Sequence, residues 1–321
     1  LTTVDTLSLT LFGIAPEDLE IAVKHYDGTM TRSLGHYLFS RSMVLLSDVV
    51  LDEFHLLCDT TKSLNFLLAL IWIIAGHGGR AILMSATIPR ALEEILRKEG
   101  ESAGLDFAKF SDEPDREFHD ERRGKRYEIR SLERLKENKF ERILGWLEEG
   151  RREGFKRSLV VFNTVPDAIK FYELVKEKLD IEKSKILLIH SRFTEEDRRR
   201  KERKIEELRK SHEYVIVSTQ VIEAGVDISS DLFISDMAPA SSLIQRLGRF
   251  LRYRREEEGW IYLWHEVRDD CEEGMYKGVY DLDLLGRTLK FLERKDVNFH
   301  DPESYQPLLD EVYDESSFSL K

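Results

Sequence analysis

One stretch of the chain, residues 214–252, limits the possible folds more than any other. It begins with YVIVS, an apolar and β-branched run that ends at Ser218, and it continues at once into a polar loop. A run of this kind is typical of a strand that is buried on both faces of a parallel sheet. A second short run, 232–235, and the helix-like SSLIQRLGRFLR follow. The stretch therefore predicts a strand–loop–strand–helix unit of an α/β fold.

The same alternation of strands and helices extends over most of the chain. Apolar runs predict further strands at 43–51, 81–84, 158–162, 186–189 and 260–264. Helical periodicity predicts helices at 56–74, 90–98, 141–152, 168–178, 195–210 and 280–293. We expect the strand at 43–51 to be buried on both faces, because it is continuous in Val and Leu. This order of elements indicates open parallel α/β sheets, with polar residues at the carboxyl ends of the strands.

The length of 321 residues is sufficient for two domains of ordinary size. The composition changes at residues 111–130, which are dense in charge and poor in apolar residues. We therefore expect a first domain at 1–112, a charged linker at 113–130, a second domain at 131–265 and a C-terminal extension at 266–321.

Charge and cysteine content exclude several classes of protein. The 49 lysines and arginines against 61 aspartates and glutamates give a net charge of −12, which argues against a surface coated in nucleic acid. A local basic groove remains possible because positive charge is clustered at 198–210 and 246–255. The two cysteines, Cys58 and Cys271, have no metal-ligand spacing and indicate a reducing, cytoplasmic location. We expect no signal peptide, and no apolar run reaches membrane-spanning length.

Two polar clusters follow strands of the first predicted domain. Asp52 can hold Mg²⁺ and Glu53 can orient the water that attacks a γ-phosphate, with His55 completing the sequence DEFH. The hydroxyls of Ser85 and Thr87, in the sequence SAT, can hydrogen-bond the acidic pair and transmit its state. Each cluster alone is also compatible with an ordinary polar turn.

The second predicted domain carries two further groups. Thr219 can contact a sugar-phosphate strand, Gly225 suits a tight turn, and Asp227 can bond a ribose or Arg249. On a helix, Gln245, Arg249 and Arg252 would lie on one face, at i, i+4 and i+7. Two guanidiniums side by side are suited to phosphate, and we expect them to stabilise charge on a γ-phosphate held by the first domain. Solvated surface arginines and a structural glycine turn are the alternatives.

In this order and spacing, the groups resemble the motifs of superfamily 2 nucleic-acid helicases. Within that superfamily the chain resembles the CRISPR-associated helicase of type I interference systems. The segments that carry this likeness are TTVD (2–5), NTVPDA (163–168), IHSRFTEEDR (189–198), STQVIEAGVDIS (218–229), QRLGRFLR (245–252) and VYDLDLLGRT (279–288). The likeness covers nearly the whole chain, and STQVIEAGVD is its most specific part.

The resemblance implies a fold of two RecA-like parallel-sheet domains in tandem. It also implies an ATP-dependent, 3′ to 5′ single-stranded DNA translocase and helicase that uses Mg²⁺ and acts with an RNA-guided surveillance complex. Asp52 and Glu53 would handle magnesium and water, and the group of Gln245, Arg249 and Arg252 would complete the ATP site. The residues implied to contact the DNA backbone are Thr3, Ser191, Arg192 and Thr219.

Two departures from the family pattern qualify this expectation. No G-x-x-x-x-G-K-[ST] loop occurs, and Gly124-Lys125-Arg126 lacks the hydroxyl and the preceding glycine. We therefore expect that the first domain lacks its N-terminal part and that the isolated chain binds ATP weakly or not at all. The pairs 119–120 and 300–301 (His-Asp) have no further ligands for a two-metal nuclease centre, which favours a separate HD nuclease partner.

Two alternative functions, and two interpretations of one helix surface, remain open from the sequence. A DExH helicase that acts on RNA has similar motifs, and so has a helicase-derived docking module that never hydrolyses ATP. The helix at 195–210 mixes basic and acidic residues, which favours a salt-bridged, solvated surface over a DNA-binding one.

Overall fold

The structure is a computed structural model that describes residues 4–12, 23–24, 27–29, 35–58, 61–101, 104, 106, 116–254, 256–267 and 274–318. The chain divides into two compact units. The first contains Leu1–Lys109 and Tyr313–Lys321, and the second contains Phe110–Val312. None of the described helices is long and apolar enough to cross a membrane.

The first unit contains a pair of parallel strands, β1 (Asp48–Asp52) and β2 (Arg80–Met84), in register from Asp48 with Arg80 to Asp52 with Met84. Four helices accompany the pair: α1 (Val4–Phe12), α2 (Gly35–Leu45), α3 (Thr61–Gly76) and α4 (Arg90–Gly100). Helix α3 connects the two strands and buries a row of leucines and isoleucines. It starts later than predicted because Phe54–Leu57 form a separate 3₁₀ turn.

The prediction that the strand at 43–51 is buried on both faces is wrong. Burial alternates along β1, and the outward-facing Val50 is 53% exposed. Its partner in register, Ile82, is 48% exposed. Among the described residues, one face of this strand pair therefore remains open to solvent, whereas a parallel sheet is usually covered on both faces.

The second unit contains a six-stranded sheet in which all neighbouring strands are parallel. The order across the sheet is β3–β8–β7–β4–β6–β5. The strands are β3 (Arg126–Arg134), β4 (Arg157–Val161), β5 (Ile186–Ile189), β6 (Tyr214–Ser218), β7 (Leu232–Asp236) and β8 (Glu258–His265). All residues of β5, β6 and β7 are buried, which confirms the interpretation of the apolar runs as strands covered on both faces.

Seven helices belong to the second unit. They are α5 (Arg116–Arg123), α6 (Lys139–Arg152), α7 (Val165–Lys178), α8 (Glu195–Arg209), α9 (Ala240–Leu247), α10 (Leu282–Leu292) and α11 (Pro302–Val312). Threonine side chains cap two of them, since Thr164 and Thr194 accept hydrogen bonds from the backbone N–H of Asp167 and Asp197. The core between the helices and the sheet is aromatic, with Trp146, Phe162 and Trp264 at most 2% exposed.

Regular structure occupies part of the stretch that we expected to be a linker. Helix α5 and the first half of strand β3 lie within residues 116–130. Strand β3 lies at an edge of the sheet, where charged side chains are favoured because they discourage pairing with other chains. Arg126, for example, forms an ion pair with Glu258 of the neighbouring strand.

A short antiparallel hairpin follows the sheet, with strands β9 (Met275–Tyr276) and β10 (Tyr280–Asp281). We call residues 275–281 the C-terminal hairpin. After α11, a 3₁₀ turn at Glu315–Phe318 belongs to the first unit and contacts α4.

The topology of the large sheet defines where a site can form. From β4 the chain crosses to β5, toward one edge of the sheet, whereas from β7 it crosses to β8, toward the opposite edge. Because β4 and β7 are neighbours, a crevice opens at their carboxyl ends, which is the usual place for a functional site in an open parallel sheet.

Candidate functional site

In the first unit, Asp52 and Glu53 lie at the carboxyl end of β1. Asp52 is exposed, and its Oδ1 accepts a hydrogen bond of 3.0 Å from the backbone N–H of Glu53. Glu53 has a φ of 51°, in the left-handed region that non-glycine residues rarely occupy. Such strain is often concentrated at functional sites, and here it turns the chain sharply between the two acidic residues.

His55 connects this turn to the next strand. Its Nδ1 lies 2.7 Å from Oγ of Ser85 and 3.4 Å from Oε2 of Glu53. Oγ of Ser85 also accepts a bond of 3.2 Å from the backbone N–H of Thr87, which is 1% exposed. The SAT serine therefore bonds the histidine of DEFH, whereas we expected it to bond the acidic pair directly.

The electrostatic environment of His55 favours the neutral imidazole. Burial lowers the pKa of His55 below its usual value, and the charge of Asp52 opposes this shift in part. Oγ of Ser85 and Oε2 of Glu53 both lie against Nδ1, so a neutral tautomer that carries its proton on Nδ1 can donate to either of them and link Ser85 with the acidic turn.

Asp52 has the chemistry of a magnesium ligand. It presents an exposed carboxylate at a strand end, and carboxylate oxygens are among the ligands that Mg²⁺ prefers. These features fit the ion in the way that the DEFH pattern predicts. Among the described residues, no group of three or more His, Cys, Asp or Glu side chains could hold a metal ion by itself.

In the second unit, the helix predicted to carry three site residues ends early. Helix α9 ends at Leu247 and Gly248 is its C-cap, so that only Gln245 of the three lies on it. After Gly248 the chain runs alongside Ser230, which forms a bridge with Phe250. The expected common helix face for Gln245, Arg249 and Arg252 is therefore wrong.

Arg249 and Arg252 nevertheless converge on the segment 219–227. Arg249 donates from Nε to the carbonyl oxygen of Ile222 and from Nη2 to that of Glu223, both at 3.1 Å. Arg252 donates from Nε to Oδ1 of Asp227 at 3.2 Å. Both arginines thus contact the same loop that was singled out in the sequence, through different parts of it.

Asp227 is the centre of an exposed ionic cluster. Besides Arg252, it pairs with Arg209 of α8 at 2.7 Å, and Tyr253 donates a hydrogen bond of 3.3 Å to it. The suggestion that Asp227 bonds Arg249 is thus not what the structure shows, since its arginine partners are Arg209 and Arg252. Gly225, two residues earlier, has a φ of 74°, which explains why glycine is favoured at this turn.

Thr219, at the end of β6, is 1% exposed. Its side chain is therefore covered in this structure. The predicted contact of Thr3 lies outside the described residues.

Ser191 and Arg192 lie on an exposed turn after β5. The turn is fixed from below by His190, whose Nδ1 accepts a bond of 3.2 Å from the backbone N–H of Arg192. The ring of His190 stacks on Phe193 at 3.8 Å, and Lys201 of α8 lies over the same phenyl ring. Arg192 is therefore presented to solvent at the carboxyl edge of the sheet, where a phosphate can reach it.

Helix α8 is laced with ion pairs along its surface. Lys204 pairs with Glu207 at 2.7 Å, and Arg200 pairs with Asp197 at 2.6 Å. This supports the interpretation of most of the helix as a salt-bridged, solvated surface.

Arg246, the most buried cation among the described residues of the second unit, was not predicted from the sequence. Arg246 is 0% exposed and donates to Oε1 of Glu223 at 2.7 Å and to Oδ1 of Asn163 at 2.8 Å. Proximity to the charges of Tyr280 and Glu223 raises the pKa of Arg246 above its ordinary value despite burial. The signal in the sequence was the position of Arg246 between Gln245 and Arg249. In a basic stretch, however, nothing in the sequence indicates that one of the arginines is buried.

Within the described part of the chain, neither His-Asp pair belongs to a group of three or more His, Cys, Asp or Glu side chains that could hold a metal ion. His300 is 4% exposed, and its Nδ1 accepts a hydrogen bond of 2.6 Å from Arg122. Burial and the positive charges of Arg122 and Lys125 lower the pKa of His300 to about 3. A cationic environment of this kind repels a metal ion.

Comparison with known proteins gives a consistent result. Residues 155–255 match the family described as "CRISPR-associated nuclease/helicase Cas3, C-terminal". The CRISPR-associated nuclease/helicase Cas3 of Streptococcus thermophilus is 30% identical over 312 residues, which cover 88% of this chain and 32% of that protein. The CRISPR-associated helicase Cas3 of Thermoproteus tenax is 25% identical over 289 residues, covering 88% of this chain and 44% of the relative. The chain thus spans less than half of the length of either relative.

Two solved structures share the fold. The crystal structure of T. fusca Cas3 with AMPPNP superposes with a TM-score of 0.63 at 20% identity, over 88% of this chain and 37% of that one. A chain in a structure of a CRISPR RNA-guided surveillance complex, pre-nicking, gives a TM-score of 0.62 at 22% identity, over 90% and 40% of the two chains. The parallel sheets described above therefore have the RecA-like fold, as the resemblance implied.

Proposed function

Because the chain belongs to the CRISPR-associated Cas3 helicases, we propose that the protein containing it is an ATP-dependent translocase and helicase on single-stranded DNA. It moves 3′ to 5′ and passes DNA to a separate HD nuclease. The observation that carries this proposal is the convergence of Arg249 and Arg252 on the 219–227 loop at the carboxyl end of the large sheet.

The chemical role of each acidic residue follows from its environment. Asp52, exposed at the strand end, holds Mg²⁺ together with the phosphates of ATP. Glu53, held in a left-handed turn beside it, orients and deprotonates the attacking water. His55 ties this turn to Ser85, so that a change at the acidic pair is transmitted to strand β2 and the residues that follow it.

The guanidiniums of Arg249 and Arg252 stabilise the charge that develops on the γ-phosphate. Planar forks suit this task because they bind two phosphate oxygens at once. Gln245, half-buried on α9, completes the polar side of the nucleotide site. Nucleotide binding is also supported by the T. fusca relative, whose structure was determined with AMPPNP.

The DNA contacts are made mainly with the phosphate backbone. Ser191 and Arg192 occupy an exposed turn that can bind phosphates without regard to sequence. Thr219, buried at the end of β6 beside the 220–227 loop, is the further proposed contact. An RNA-guided surveillance complex opens the target and supplies the displaced strand, and the related chain found in such a complex supports this partner.

The separate nuclease is proposed from the charge environment of His300, which cannot serve as a metal ligand. The relative from T. tenax, which is named a helicase without a nuclease, supports the same division of labour.

The test is a Glu53→Gln variant of the full-length protein. We expect its DNA-stimulated ATP hydrolysis to fall by about 100-fold or more, because the water loses its base, while binding of a single-stranded oligonucleotide is retained. Glu94→Gln, an exposed glutamate of helix α4, is the matched control and should hydrolyse ATP normally.

Three results would contradict parts of the proposal. A Glu53→Gln protein with full interference activity would indicate a docking module that does not hydrolyse ATP. Stimulation of the wild-type ATPase by RNA in preference to DNA would indicate an RNA helicase. Measurable ATP hydrolysis by the isolated chain would contradict the expectation that it binds ATP weakly or not at all.

A further inference from the structure

The C-terminal hairpin reaches into the crevice at the carboxyl ends of β4 and β7 through one half-buried phenol, that of Tyr280. The hydroxyl oxygen of Tyr280 accepts a hydrogen bond of 2.8 Å from Nη2 of Arg246. The same hydroxyl donates to Oε1 of Glu223 at 3.2 Å. Tyr280 thus touches both a buried cation of the 245–252 segment and the carboxylate of the 219–227 loop.

Arg246 has no donor left for a ligand. A guanidinium has five N–H groups. In addition to Glu223 and Tyr280, its acceptors are Oγ of Ser235, the carbonyl oxygen of Asp236 and Oδ1 of Asn163. With all five donors used inside the fold, Arg246 acts as a junction between segments, whereas Arg249 donates to the main-chain carbonyl oxygens of Ile222 and Glu223.

Three sets of hydrogen bonds anchor the 220–223 turn. Nε2 of Gln220 donates to the carbonyl oxygen of Asn163 at 2.8 Å. The side chain of Glu223 is held by Arg246 and Tyr280. The carbonyl oxygens of residues 222 and 223 are held by Arg249.

These anchors differ in what happens to them during turnover. If Arg249 moves to a γ-phosphate, it leaves the carbonyl oxygens of residues 222 and 223 without that donor. The turn then depends on Gln220 and on the side chain of Glu223. Tyr280 is the contact to Glu223 that comes from outside residues 155–255.

We propose that Tyr280 is a positioning residue that couples the nucleotide site to DNA binding. It keeps the 220–223 turn, and with it Thr219, in place while Arg249 is engaged with nucleotide. The inference rests on the proposed helicase function and extends it to a residue of the C-terminal hairpin.

The hairpin is firmly attached, as this role requires. Nζ of Lys277 lies 2.7 Å from Oδ2 of Asp236, and the hydroxyl of Tyr276 donates to Oδ1 of the same aspartate at 2.8 Å. Asp236 is 0% exposed at the end of β7. A buried ion pair therefore fixes the hairpin to the sheet independently of Tyr280.

The experiment compares Tyr280→Phe with Tyr127→Phe in the full-length protein. The control removes a half-buried phenol that also makes two hydrogen bonds, since Tyr127 donates to the carbonyl oxygen of Val297 at 3.0 Å and accepts from the N–H of Phe299 at 2.8 Å. It touches neither Glu223 nor Arg246. The measured quantities are ATP turnover without DNA, the concentration of single-stranded DNA that gives half-maximal stimulation, and the melting temperature.

For Tyr280→Phe we expect the half-stimulating DNA concentration to rise about tenfold, the size expected for a lost hydrogen bond to charged groups. Turnover without DNA and turnover at saturating DNA should change far less. Tyr127→Phe should leave the half-stimulating concentration near that of the wild type, even if its melting temperature falls as much.

Two results would overturn the inference alone. One is an unchanged half-stimulating concentration in Tyr280→Phe, and the other is an equal rise in both variants. A wild-type protein whose ATPase does not respond to single-stranded DNA would instead overturn the proposed function, and the inference with it.

Discussion

Nη2 of Arg249 donates a hydrogen bond of 3.1 Å to the carbonyl oxygen of Glu223. An arginine that we propose for the γ-phosphate is thus held by the main chain of the loop that ends at Asp227. In the proposed mechanism the loop gives up these bonds when the guanidinium turns to phosphate, and a single side chain then links nucleotide binding to the position of the loop.

A lysine at position 249 tests this link. Arg249→Lys keeps the positive charge but loses the planar fork that bonds Ile222 and Glu223 together. We expect DNA-stimulated ATP turnover to fall by about 100-fold to 1,000-fold, the range for removal of one donor to transition-state charge. Steady-state kinetics of the full-length variant measures this.

The control for that variant is Arg254→Lys. Arg254 is exposed and forms ion pairs with Glu117 at 3.4 Å and with Glu121 at 3.0 Å. Its turnover should stay near that of the wild type. Similar losses in both variants would mean that the effect comes from the charge of the segment and not from the fork of Arg249.

Removal of the Ser85 hydroxyl should separate ATP hydrolysis from DNA unwinding. Ser85→Ala deletes the 2.7 Å bond to His55 but leaves Asp52 and Glu53 unchanged. We expect ATP turnover to remain within about threefold of the wild type, whereas duplex unwinding falls by about tenfold, as for loss of one buried hydrogen bond. An equal loss of both activities would place Ser85 in the hydrolysis step.

The central strands of the second unit could be predicted because each is a run of consecutive apolar residues. The run at 186–189 gave both ends of β5 correctly, and β6 and β7 were predicted to within one residue. In each, the side chains point into helix layers on both sides, which removes the need for polar alternation. Strand β3 was missed because an edge strand carries charged side chains, and its sequence resembles a linker.

The contacts of the site could be predicted only in part. The sequence identified Asp227, Arg249 and Arg252, yet it paired Asp227 with the wrong arginine. The end of α9 at Leu247 was missed, although Gly248 is a common signal for it. The hydrogen-bond acceptors of Arg246 include Asn163 and Tyr280, which are far apart in the chain. A local sequence pattern cannot predict a contact between such distant segments.

The ion pair between Lys277 and Asp236 should contribute strongly to the stability of the second unit. Lys277→Met leaves the fully buried carboxylate of Asp236 without its cation, and breaking a buried pair costs about 3–5 kcal/mol. Denaturant unfolding of the second unit at pH 7 measures this loss. Lys290→Met, an exposed lysine of α10, should change stability little.

The deficit of Lys277→Met should shrink on acidification. Burial already raises the pKa of Asp236, and Lys277 opposes that shift. Without the lysine, the carboxyl group of Asp236 stays protonated in the folded variant, whereas in the unfolded chain it releases its proton above about pH 3.9. The stability of Lys277→Met therefore falls as pH rises through the folded pKa of Asp236. A deficit that is the same at pH 5 and pH 8 would show that Asp236 finds another cation.

His300 provides a pH dependence of the opposite sign. Its pKa is lowered to about 3, mainly by burial and then by Arg122 and Lys125, so the folded state keeps the ring neutral. The unfolded chain takes up the proton below about pH 6.5, and stability therefore falls between pH 6.5 and pH 3 by at most about 1.4 kcal/mol per pH unit.

An asparagine at position 300 separates this effect from other acid-sensitive groups. The amide oxygen of His300→Asn can still accept the bond from Arg122, but it does not titrate. We expect the variant to lose less stability than the wild type between pH 7 and pH 5 in denaturant unfolding. His212→Asn, which replaces an exposed histidine, is the control and should keep the wild-type slope. Equal slopes in all three proteins would show that His300 is protonated in the folded state, since only a histidine that folding keeps neutral adds to the acid dependence.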